Sequence, residues 1–149
     1  MRKTFNLILI AVILLCSTSI TYAGKNDLSF YVDNRLKSTP LNIKGDCSML
    51  VRPGEPLVEV CTKNIESSEK DGESMAGEIL IHMDQEVEIA AVVHYRLNRI
   101  AACNWGCEAY WQWESPNVEI FDDSIKVTAT TNDEGSEDYF LKIKVKSHK

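Results

Sequence analysis

The chain has 149 residues, 44% hydrophobic and 26% charged, with 16 basic against 22 acidic side chains. That length suits one domain with a real core. The net charge of −6 argues against nucleic acid or an anionic membrane as partner, because both repel an acidic protein.

Arg2 and Lys3 precede the apolar run "LILIAVILLC" at 7–16, and "STSITYA" follows with Thr21 and Ala23 at the −3 and −1 positions of a cleavage site. This predicts a secretory signal peptide over 1–23. The run is too short for a transmembrane helix, which needs about 20 such residues, so no membrane span is expected. A lipoprotein anchor on Cys16 fits poorly, because Leu15 stands where a small residue is required. Taking 23 residues from 149 leaves 126 for a single mature domain at 24–149. The leader holds two basic residues and no acidic ones, so the mature balance is 14 basic against 22 acidic, a net −8. No Asn-X-Ser/Thr sequon occurs, which leans towards bacterial export.

Period-2 alternation dominates the mature chain. "LSFYV" at 28–32 sets Leu28, Phe30 and Val32 on one face, and "PLNIK" at 40–44 pairs Leu41 with Ile43. "CSMLVRPGEPLVEVC" at 47–61 follows, nearly palindromic about Gly54. "NIESSEKDGES" at 64–74 is a loop by composition, and "GEILIHM" at 77–83 is a strand. "EVEIAAVVHYRLNRIAAC" at 86–103 keeps Val87, Ile89, Ala91, Val93, Tyr95 and Leu97 in phase, which predicts a strand; its alanine pairs leave a helix as the alternative. "CEAYWQWE" at 107–114 alternates again, "SPN" at 115–117 is a turn, and "VEIF" is a short strand. "SIKVTAT" at 124–130 and "YFLKIKVK" at 139–146 flank the acidic loop "TNDEGSED". Lys142, Lys144 and Lys146 form a solvated or edge-guarding face. The sum is an all-β fold: an antiparallel β-sandwich of immunoglobulin-like architecture, or a small barrel, with about eight strands and disulfide bonds.

Four cysteines remain after the leader: Cys47, Cys61, Cys103 and Cys107. An even number in an exported chain indicates disulfides. A hairpin turning at residues 53–55 would set Cys47 opposite Cys61, within bonding distance. A tight loop would likewise let Cys103 reach Cys107. The favoured pairing is therefore 47–61 with 103–107, and the alternative crosses the two pairs. Zinc and thioredoxin-type redox roles need C-x-x-C spacing, which neither pair has.

No nucleophile elbow, H-E-x-x-H, phosphate loop or calcium loop occurs, and His82, His94 and His148 lack any catalytic spacing. The expectation is a non-enzyme without a cofactor. Trp105 sits at the tip of the 103–107 loop; it either presents an aromatic to a partner or folds back over the sheet end. Trp111 and Trp113 suit the core, with Tyr110 facing the other way. The expected function is an exported non-catalytic binding protein, an inhibitor, immunity or assembly factor that recognises a protein, with a cationic partner suiting the charge. Its candidate contacts are Trp105, Tyr110, Asp133 and Glu134, with the acidic loop at 69–73. The alternative is a carbohydrate- or cell-wall-binding module that stacks sugars on Trp105, Tyr110 and Trp111. A third reading is a small exported enzyme whose site no spacing reveals.

Overall fold

A computed structural model describes residues 27–65, 74–100, 104–106, 110–132 and 138–149. The expected leader at 1–23, the acidic segment 69–73, Cys103, Cys107, Asp133 and Glu134 lie outside the described residues.

Among the described residues the chain forms β1 (Asp27–Asn34), β2 (Leu41–Gly45), β3 (Met49–Val51), β4 (Val58–Asn64), β5 (Ser74–Met83), β6 (Ile89–Ile100), β7 (Tyr110–Trp113), β8 (Asn117–Ile120), β9 (Ile125–Thr131) and β10 (Tyr139–Ser147). One sheet has the order β4-β1-β10-β9, and the other β3-β2-β5-β6-β7 with β8 also on β6. The fold is all-β, with two sheets packed in a sandwich-like arrangement. The ladders are antiparallel except that β1 and β10 run parallel, from Leu28↔Tyr139 to Asn34↔Val145.

The alternating apolar residues face inward. Leu28, Phe30 and Val32 of β1, Leu141, Ile143 and Val145 of β10, and Ile79, Ile81, Val93 and Leu97 of β5 and β6 are fully buried in one cluster drawn from both sheets. Phe30 meets Tyr95 edge-on across the sandwich, with ring centroids 5.0 Å apart. Within the 86–103 stretch, Ile89–Ile100 forms strand β6 rather than the helix its alanines would favour; tertiary burial of the in-phase Val, Tyr and Leu outweighs the propensity of Ala.

The 47–61 hairpin is not formed. Met49–Val51 pairs with β2, in register Leu41↔Val51, whereas Val58–Asn64 pairs with β1 in the other sheet. Pro53 and Pro56 have no N–H to give a ladder. The Gly54 N–H goes instead to the Asn34 carbonyl at 3.0 Å, and the chain crosses between the sheets. Gly54 has φ +79°, which glycine tolerates and other residues resist. The Cys47–Cys61 disulfide is nevertheless present, with its Cα atoms 5.7 Å apart. It staples sheet to sheet rather than strand to strand. A bulge makes this possible. The β4 register shifts between Phe30↔Cys61 and Tyr31↔Glu59, so Val60 is the extra residue and both Val60 and Cys61 turn inward.

Beside the disulfide lies a polar lock. Asp46 Oδ2 accepts hydrogen bonds from Tyr95 Oη at 2.7 Å and from the Glu78 N–H at 3.0 Å. Asp46 Oδ1 pairs with Lys63 Nζ of the opposite sheet at 3.0 Å. Gly77 leaves room for this arrangement: a Cβ there would collide with Asp46 Oδ2 and Tyr95 Oη.

The expected turn at 115–117 is a bulge in an edge strand. β7 and β8 lie on the same side of β6, from Leu97↔Trp113 to His94↔Asn117, so two residues of β6 face three at 114–116. Pro116, unable to donate, occupies the irregular stretch.

Candidate interaction surfaces

Trp105 is 95% exposed and does not fold back over the sheet. Gly106 follows it at φ +89°, the left-handed conformation that closes a tight turn. Tyr110 begins β7 opposite Ile100 and is 40% exposed. Trp111 and Trp113 are held inward. The Trp111 N–H donates to Tyr139 Oη at 3.2 Å, and Trp113 Nε1 donates to Asn132 Oδ1 at 3.0 Å. Asn132 also accepts the Phe140 N–H at 3.0 Å and donates to the Asp138 carbonyl at 2.7 Å. The strand ends that flank Asp133 and Glu134 are thus tied to the same end of the molecule as Tyr110.

A second surface, missed by sequence reasoning, occupies the opposite end. The β5–β6 turn carries Val87, 90% exposed, and β6 opens with Ile89; β8 ends at the exposed Ile120, and Phe121, 61% exposed, follows it. A bulge brings them together. The register passes from Ile81↔Ala91 to His82↔Ile89, which leaves Ala90 as the extra residue. Its carbonyl accepts the N–H groups of Phe121 at 2.8 Å and Asp122 at 3.1 Å. His82 Nδ1 lies 3.0 Å from the Glu88 carbonyl and steadies the turn. Ile89 and Phe121 then line a shallow cleft of about 240 Å³ with Glu86, Glu88, Asp122 and Asp123. Hydrogen bonds from the Ser124 side chain and N–H hold the Asp122 carboxyl below its usual range, so it stays ionised at neutral pH.

The other histidines are separate. His94 stands on the outer face of its sheet, its ring nitrogens 3.9 Å from Glu78 and 3.4 Å from Glu119. His148 is exposed near the Ser124 carbonyl, which accepts its N–H at 2.9 Å. Among the described residues no group of three or more His, Cys, Asp and Glu side chains is placed to share a metal ion. Nor is any helix among them long and apolar enough to cross a membrane. No protein-family model matches the chain, and no curated protein matches it.

Proposed function

We propose that this is an exported, non-catalytic binding protein that recognises a cationic protein partner. The observation that carries the reading is the cleft where Ile89 and Phe121 meet four carboxylates, beside the exposed Val87. Exposed apolar side chains provide the desolvated centre of a contact, and the surrounding charges steer and orient an oppositely charged partner. A disulfide-linked sandwich behind a signal-like leader suits an oxidising compartment outside the cytoplasm. The test is capture of partners from the extracytoplasmic fraction, followed by titration of the purified partner. Phe121→Ser and Glu88→Lys should each weaken binding at least tenfold, and added salt should weaken it further. Retention of full affinity by both variants would refute the reading.

A second reading, glycan binding, rests on Trp105 with Tyr110 at the other end, because sugars stack on exposed aromatic rings. Tryptophan fluorescence during titration with peptidoglycan fragments separates the two. A response that Trp105→Ala abolishes favours the glycan, and a flat trace removes it.

A further inference from the structure

The acidic chain has one strongly basic flank. On the outer face of the first sheet, Lys126 of β9 lies directly opposite Lys146 of β10. The Arg35 N–H donates to the Val145 carbonyl at 2.8 Å, which continues the β1–β10 ladder and sets Arg35 on the other side of Lys146. Three cations therefore lie abreast on neighbouring strands. Of the three, only Arg35 has an ion-pair partner among the described residues, Asp33 at 2.7 Å. Like charges opposed across a ladder are destabilising, and two lysines in register gain from a shared anion. Lys144, which lies opposite Asp33, and Lys142 continue the row along β10 in steps of roughly 7 Å.

The row leads into an open cleft of about 620 Å³. Arg35, Lys37, Lys146 and Lys149 line it together with hydroxyl groups such as those of Ser38 and Ser124, and no acidic side chain does.

We propose that this flank binds a polysaccharide bearing sulfate or phosphate groups. The cations spread in two directions, across three strands and along one, so a single small anion cannot satisfy them and a polyvalent one can. Their spacing of about 5–7 Å suits sparse charges on a sugar chain. Duplex DNA, with one charge per roughly 1.7 Å, would bring many unmatched phosphates against an acidic protein. Single strands are held by aromatic stacking, and no aromatic residue lines the cavity. A lipid surface wants several exposed apolar side chains to insert, but Leu36 and Ile125 of the lining are buried, and Ile120, 41% exposed beside Lys126 and Lys146, is a single such residue. Hydroxyl groups in the lining suit the hydroxyls of a sugar.

The probe is heparin, titrated calorimetrically against the full mature chain at low and physiological salt. Binding is expected, weaker as salt rises, and desulfated heparin should not bind. Lys126→Gln/Lys146→Gln should lose at least tenfold in affinity and flatten the salt dependence. Lys44→Gln, on the other sheet, and Phe121→Ser should bind as wild type does, which separates this site from the protein-binding cleft. The double variant should melt no lower than wild type, because removing an opposed lysine pair relieves repulsion. Unchanged affinity in the double variant would overturn the proposal. So would an absence of binding, or equally tight binding to duplex DNA or to vesicles of anionic lipid.

Discussion

At the scale of single residues, the most consequential group is Asp46. Burial opposes its charge, but hydrogen bonds from Tyr95, Lys63 and the Glu78 N–H outweigh burial and hold its carboxyl below the usual range. The same contact, with burial acting first, pushes the Tyr95 phenol far above its usual range, so it remains a donor at every relevant pH. Because the Asp46 pKa is depressed on folding, its stabilisation is complete above the unfolded value, near 3.9, and fades as pH falls through the folded value. Acid melts of Asp46→Asn should therefore show a shallower loss of midpoint below about pH 4 than wild type. Tyr95→Phe should cost about 1.5–3 kcal/mol in urea unfolding, the range for a hydrogen bond to a charged group. Gly77→Ala should be destabilising, since its Cβ strikes the Asp46–Tyr95 contact. Trp105→Ala, by contrast, should leave the unfolding midpoint within about 0.5 kcal/mol of wild type, as expected for an exposed residue away from the core. Trp105 was legible in the sequence because no apolar phase claimed it. Asp46 was not: its partners lie at residues 63, 78 and 95, and only the packed sheets bring them together.

At the scale of elements, period-2 alternation identified nearly every strand, because each sheet has one buried face that demands it. It misassigned what the strands pair with. The palindromic spacing around Gly54 suggested a hairpin and led to the right disulfide, yet the bond joins two sheets. The sequence carried a warning in Pro53 and Pro56, which interrupt a ladder where a hairpin needs donors. Bulges were illegible for a related reason: one extra residue at Val60 or Ala90 leaves the composition unchanged while it re-aims the neighbouring side chains. As a staple across a sequence separation of 14, the bond should contribute about 3 kcal/mol. Denaturant unfolding of Cys47→Ala/Cys61→Ala measures this. An undiminished stability would mean that the Asp46–Lys63 lock and the core hold that corner unaided.

At the scale of the whole molecule, function follows from how charge and apolar area are divided. Lysines gather on the outer face of one sheet, while Glu86, Glu88, Asp122 and Asp123 surround Ile89 and Phe121. The acidic balance was visible in composition, but its partition was not. The strand pattern of 86–89 and the short strand ending at Phe121 each looked like ordinary core material. Only the pairing of β6 with β8 exposes both at one cleft. Glu86 and Glu88 interleaved with Val87 and Ile89 was the available signal, since a strand turned to water at its end keeps both kinds of residue exposed. The most direct test of the central claim is the affinity of a purified, captured protein partner for wild type and for Phe121→Ser. The partner should carry net positive charge, and Phe121→Ser should lose at least tenfold in affinity with its melting temperature unchanged. Equal affinity in the two proteins, or a partner whose binding strengthens with salt, would contradict it.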